Sequence, residues 1–159
     1  MIVVADSGPL RYLLVIGHID ILPPLFDRVL IPAAVRQELT HPRAPALVRN
    51  WLENAPAWLE VHTALESGDP SIDALDVGEQ QAISLALQVA AQYILMDDEQ
   101  GRLAAMRKHF TVVGTVGILQ RAANRGLLDF ASALSRLTAT NFRMSPAFRR
   151  AILDQIKDQ

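Results

Sequence analysis

Five acidic side chains stand at positions in this chain where their type and neighbours could do chemistry. Asp6 follows a short apolar run at the start of the chain. Read alone, it is equally a turn or helix-capping aspartate, since aspartate is common where a strand gives way to a helix. Glu38 shares a helical face with Ile31, Ala34, Val35 and Leu39, while Arg36, Gln37 and Thr40 point away. Alone it reads as an edge glutamate reaching solvent or an arginine. On the apolar side it needs a cation, because an ionised carboxylate is costly to bury unpaired. Glu79 repeats that pattern on the clearest helix of the chain. Gln81, Ser84, Gln88 and Gln92 recur there at helical spacing as an expected solvent stripe, and Glu79 lies nearly opposite, beside Ile83 and Ala86. The run Asp76-Val77-Gly78-Glu79 also has the form of a capping box, which would engage the glutamate with the backbone. Asp97 and Asp98 follow another apolar run. Neighbouring residues of a strand point to opposite sides, so one of the two is expected to face a shared crevice, and the sequence leaves open which.

Carboxylates gathered at one place repel one another unless a cation joins them. Hard oxygen donors, with no cysteine and no helix-spaced histidine pair, point to Mg2+ or Mn2+ and make zinc a poor match. The four histidines, His18, His41, His62 and His109, read as surface or loop positions. A divalent ion held by carboxylates suits phosphodiester hydrolysis: it activates water, neutralises non-bridging oxygens and stabilises the leaving alkoxide.

The elements that must position these acids are legible in the apolar patterning. Strands are expected at 2–5, 29–31, 58–62, 93–96 and 111–113. Helices are expected through Leu10, Leu13 and Leu14, with Ser7-Gly8-Pro9 supplying its start, and at 19–26, 33–39, 47–52, 76–92 and 99–108. Three more, at about 116–124, 129–137 and 146–156, carry expected caps at Thr115, Asp129 and Ser145. Residues 63–75 read as a loop or broken helix. Strands written as continuous apolar runs and alternating with helices predict an α/β fold of three layers, a parallel sheet covered on both faces. Ligands of such sheets lie beyond the carboxyl ends of the strands, where strand order reverses, which is where Asp6 and the Asp97-Asp98 pair fall.

At 159 residues, half of them apolar and a fifth charged, the chain is expected to form one compact domain over 1–159. A net charge of −2 argues against a protein that coats nucleic acid, but not against a nuclease with sequestered carboxylates. Arg36, Arg43, Arg49, Arg102 and Arg107 are candidates for a local basic patch. The lack of cysteine fits a reducing compartment, and MIVVADSGPL has no basic start, so a cytoplasmic location is expected. The apolar stretch 82–96 is too short and too polar to span a bilayer.

Four segments, ADSGPL at 5–10, IPAAVRQEL at 31–39, LDVGEQQAISLA at 75–86 and ILMDDEQGR at 94–102, together with VVGTVGIL at 112–119, resemble the PIN-domain family. The similarity is to small bacterial and archaeal members related to VapC-type toxins, and it extends to about residue 126. The resemblance implies a five-stranded parallel sheet in the order 3-2-1-4-5. It also implies one or two divalent ions held by Asp6, Glu38, Glu79 and a carboxylate of Asp97 or Asp98. Ser7 matches a small polar residue beside the metal, and Arg102 is a candidate phosphate contact or a salt-bridge partner of Asp98 or Glu99. The implied activity is that of a metal-dependent endoribonuclease, the toxin of a toxin-antitoxin pair, restrained by a small antitoxin protein that covers the crevice, and a symmetric homodimer. Two other readings stand beside it: a degenerate PIN module that binds RNA or a protein without cutting, and another magnesium-dependent phosphohydrolase. A receiver-like phosphoacceptor fits poorly, because its acid pair follows the first strand and a lysine follows the last.

Overall fold

A computed structural model describes residues 1–66 and 68–157; Ser67, within the expected loop, and residues 158–159 lie outside it. The chain runs β1 (Ile2–Ala5), α1 (Ser7–Val15), a 3-10 turn (Ile19–Ile21), α2 (Leu22–Phe26), β2 (Arg28–Pro32), α3 (Ala33–Thr40), α4 (Ala46–Glu53) and β3 (Leu59–His62). A second 3-10 turn (Pro70–Ile72) leads to α5 (Val77–Val89), β4 (Tyr93–Leu95), α6 (Glu99–Arg107), β5 (Thr111–Val113), α7 (Thr115–Asn124), α8 (Phe130–Thr138) and α9 (Pro146–Lys157).

The five strands form one sheet in the order β3-β2-β1-β4-β5, and every pairing is parallel. Successive strand residues serve opposite faces, which explains why the central strand β1 and its neighbours are apolar through their middles, while the edge strand β3 carries Glu60 and His62. Val3, Ala5, Val29, Ile31 and Leu95 pack into one core with Leu10 and Leu13 of α1, Val35 of α3 and Ile118 and Leu119 of α7. Val4, Leu30, Ile94 and Met96 pack into the other with Ile83, Leu85 and Ala86 of α5 and Ala104 and Ala105 of α6. The expected three-layer α/β architecture and strand order are both present. No helix among the described residues is long and apolar enough to cross a membrane.

Several local expectations are corrected. Asp6, not Ser7, occupies the N-cap position of α1, and the Ser7 hydroxyl is spent elsewhere. Helix α5 spans Val77–Val89 rather than 76–92, because Ala90 turns into the left-handed region at φ 51° and ends it. Thr115 is the first residue of α7 and not its cap; Gly114 holds that position. Asp129 and Ser145 do cap α8 and α9, accepting from the backbone N–H of Ser132 and Phe148.

The polar stripe of α5 is a solvent face only in part: Gln88 and Gln92 are exposed, whereas Gln81 is half-buried and Ser84 buried. Gln81 accepts from the N–H of Ala34, Ser84 is buried and donates to the carbonyl of Leu65, and Gln88 accepts from the N–H of Leu65. Gln92, past the end of the helix, accepts from the N–H of Ile2. The start of α3 lies against Gln81 and the chain at Leu65 against Ser84 and Gln88, and each amide accepts from a backbone N–H. Periodicity identified the polar positions correctly and misread the surroundings of Ser84 and, in part, of Gln81.

Candidate active site

Strand order reverses between β1 and β4: the chain travels outward through β2 and β3, then returns to the other side of β1. Ala5 pairs with Leu95, and the Asp6 N–H donates to the Leu95 carbonyl at 2.9 Å. Asp6 and the residues after β4 are therefore held side by side at the switch point, where an open α/β sheet leaves a crevice.

Asp6 is only 7% exposed, and its Oδ1 is buried without a hydrogen-bond partner. Burial raises its pKa to about 7, opposed by a hydrogen bond from the Ser7 N–H and reinforced by the charges of Glu38, Asp76 and Asp97. An unpaired buried carboxylate oxygen is expensive, so this position needs either a proton or a cation.

Glu38 is exposed at the rim, not on the buried side of α3 that the helical wheel suggested. It lies near the end of the short helix, where a long side chain leaves the apolar face and reaches across. The Ser7 hydroxyl donates to its Oε2 at 2.8 Å. A Cβ on Gly78 would lie 2.0 Å from Glu38 Oε1 and 3.5 Å from Asp6 Oδ1. The missing side chain at Gly78 thus admits the glutamate to the neighbourhood of Asp6.

Glu79 points inward and is 7% exposed. Asp76 caps α5 by accepting from the Glu79 N–H at 2.8 Å, so half of the capping box is present. The Glu79 carboxyl itself faces other acids. Burial, the charges of Asp76 and Asp98, a side-chain hydrogen bond with Asp76 and the charge of Asp6 all push its pKa well above the usual carboxylate range. Capping by Asp76 and a place for Glu79 among the acids coexist.

The two aspartates after β4 separate. Asp98 is exposed and caps α6, accepting from the Gly101 N–H at 3.0 Å. Asp97 turns toward the crevice: its Oδ1 accepts from the Thr115 N–H at 2.8 Å and its Oδ2 from the Thr115 hydroxyl at 2.6 Å. Burial raises its pKa, and the Thr115 bonds, then the charges of Arg102 and Arg11, oppose the rise. A Cβ on Gly114 would meet Asp97 Oδ1 at 2.9 Å and Arg102 Nη1 at 2.8 Å. Arg102 donates to the Met96 carbonyl at 3.1 Å rather than pairing with Asp98 or Glu99.

The sequence singled out Asp6, Glu38, Glu79, Asp97, Asp98, Ser7 and Arg102, and all border this region. It treated Asp76 and Thr115 only as helix caps. It passed over Gly78, Gly114 and Arg11. The clues to the glycines were their places at the start of α5 and directly before α7, where side chains from other elements approach the backbone. For a hard divalent cation the donor types fit, and the partnerless Asp6 Oδ1 is an oxygen that such an ion could satisfy. Among the described residues, however, no three acidic or imidazole groups already stand together as a closed cage. The acids share a field, and an ion would have to draw them in.

Comparison with known proteins agrees with the geometry. A family model described as a PIN domain matches residues 2–158. No curated protein matches the chain. The family match covers nearly the whole sequence, including every acid of the crevice, and the parallel sheet has the order expected of it: the chain belongs to the PIN-domain family, whose members are generally nucleases.

Proposed function

We propose that this chain is a divalent-metal-dependent ribonuclease, with Asp6, Glu38, Glu79 and Asp97 as the carboxylates that take Mg2+ or Mn2+. The observation that carries the proposal is the buried, partnerless Oδ1 of Asp6, surrounded by further acids at the sheet's switch point. When bound, the ion supplies activation of water and neutralisation of the phosphodiester. The protein supplies position. Thr115 orients Asp97 by two hydrogen bonds, Ser7 orients Glu38 by one, and the β1–β4 pairing fixes Asp6 beside Asp97. Asp98 acts as the cap of α6, with its charge bearing on Glu79.

Calorimetric titration with Mn2+ tests this reading. Binding, with a rise in melting temperature that follows Mn2+ concentration, is the expected result. No binding at millimolar Mn2+ would leave a module that holds RNA or a protein without cutting it.

The proposal extends to biology: the protein is the toxin of a toxin-antitoxin pair and works as a homodimer in the cytoplasm. An antitoxin would place an arginine or lysine among the carboxylates, replacing the charge of the metal, and would anchor through apolar contacts elsewhere. Co-expression with a small open reading frame next to the gene, where one exists, and pull-down should recover a complex that lacks nuclease activity. Light scattering tests the dimer. A chain that is harmless to its host when expressed alone, yet active on RNA, would instead be a housekeeping nuclease.

A further inference from the structure

Beside the carboxylates a groove with a volume of about 330 Å³ opens between α1 and the loop joining α3 to α4. Its walls carry Arg11, His41 and Arg43, its floor includes Leu39, and Ser7 and Glu38 belong both to it and to the acidic crevice. The groove and the crevice are therefore continuous but opposite in charge.

The cationic wall is arranged rather than incidental. Arg11 lies one helical turn beyond Ser7, so both face the same way from α1. Its guanidinium stacks over the Tyr12 ring at 4.9 Å and donates to the Tyr12 hydroxyl at 3.2 Å, while that hydroxyl donates to Asn141 Oδ1 at 3.0 Å. The Arg43 N–H donates to His41 Nδ1 at 3.0 Å, which leaves the proton of a neutral His41 ring on Nε2, available to an acceptor. Among the described residues neither Arg11 nor Arg43 is engaged in an ion pair. Both are exposed, and the positive charge of Arg11 is felt at Asp97.

An acidic crevice repels an anionic substrate, so a polyanion drawn to it needs a cationic foothold next to the reacting position. A phosphodiester chain supplies anions on both sides of the bond to be cut. We infer that this groove is the subsite for a backbone phosphate of single-stranded RNA flanking the scissile position, held by Arg11, Arg43 and the Nε2–H of His41. The inference rests on the ribonuclease reading, yet binding can be measured without cleavage.

The test is fluorescence anisotropy of a labelled single-stranded oligoribonucleotide with the full chain in EDTA, over a range of salt concentrations. Arg11→Ala/Arg43→Ala should weaken binding about tenfold. It should also flatten the dependence of log affinity on log salt by about 0.7, the contribution of one phosphate contact on a single strand. Arg11→Lys/Arg43→Lys should recover most of the affinity, because charge is the main attraction. Arg150→Ala, on α9 and outside the groove, should change it less than about twofold, as expected of general charge loss rather than site loss. Melting temperatures of the groove variants should match the wild type, as both arginines are exposed. If the double alanine variant binds within twofold of Arg150→Ala, the subsite is wrong, even if the protein cuts RNA. Displacement of a labelled polyglutamate peptide by the same substitutions, with RNA affinity unchanged, would also overturn it and give the groove to an acidic protein segment. If Mn2+ binding and cleavage both fail while RNA affinity still depends on Arg11 and Arg43, the subsite stands and the nuclease reading falls.

Discussion

Thr115 holds both oxygens of Asp97, the backbone N–H at 2.8 Å from Oδ1 and the hydroxyl at 2.6 Å from Oδ2. The pair ties the segment after β4 to the first turn of α7. Thr115 is wholly buried, so water is a poor substitute for its hydroxyl. Thr115→Val keeps the N–H bond and the approximate shape but strips one carboxylate oxygen of its donor. Stability in urea should fall by about 1–3 kcal/mol. Half-maximal activity should require several times more Mn2+, because Asp97 is no longer oriented; an unchanged Mn2+ requirement would separate Thr115 from the site.

Gly78→Ala should divide stability from function. Its added Cβ would meet Glu38 Oε1 at 2.0 Å, and that oxygen is the end of a flexible, exposed side chain. Glu38 can swing away, and alanine is favoured over glycine within a helix by about 0.5–1 kcal/mol. The variant should melt at or above the wild-type temperature and lose at least tenfold in metal-dependent cleavage. Retained activity would show that Glu38 need not approach Asp6.

The metal-free protein should lose stability as pH rises from about 4 to above 7. Asp6 takes up its proton near pH 7 in the fold and near 3.8 in the unfolded chain. Between those values the native state binds more protons, so raising the pH favours unfolding, and the slope levels off once both states are ionised. Asp97 and Glu79, also shifted upward, act in the same direction. Glu60 and Asp69, held down to about 2 by Arg28 and Lys108, act oppositely but only at lower pH. Melting in EDTA at pH 5 and pH 8 should give the lower temperature at pH 8. Mn2+ should raise the pH 8 value more than the pH 5 value, since ionised carboxylates are the ligands.

Asp76 has two roles that one pair of substitutions separates. Asparagine is as good an N-cap as aspartate, while alanine costs about 1 kcal/mol there. Asp76→Asn should therefore leave stability nearly unchanged and ease ionisation of Glu79, shifting the acid limb of the metal-binding profile, where binding rises with pH, to lower pH. Asp76→Ala should show the same shift together with the stability loss. If Asp76→Asn leaves the profile where it was, the charge of Asp76 does not reach Glu79.

The strands and most helices were legible because both faces of the sheet are covered and the strands in its middle are apolar, with Glu60 and His62 confined to the edge strand β3. The strand-end acids were legible for a related reason: position after a strand and polarity are both written locally. Orientation was not. Asp97 and Asp98 are chemically identical, and what distinguishes them is Thr115, which β5 brings from the next strand over. Glu38 was read as inward-facing because a helical wheel ignores that a long side chain can leave its face near a helix end. Ser84 was read as solvent-facing because nothing in α5 records that the chain at Leu65 lies over it. Arg11 carried no signal, since a lone arginine on a helix gains meaning only when Arg43 and His41 come to share its groove.

Cleavage of a labelled single-stranded RNA by wild type and Asp6→Asn, each in Mn2+ and in EDTA, tests the central claim most directly. Wild type should cut only in Mn2+, and Asp6→Asn should cut in neither while remaining folded, with a melting temperature in EDTA at pH 8 equal to or above that of the wild type. Cleavage by Asp6→Asn at the wild-type rate, or wild-type cleavage that persists in EDTA, would contradict a metal-dependent nuclease site centred on Asp6.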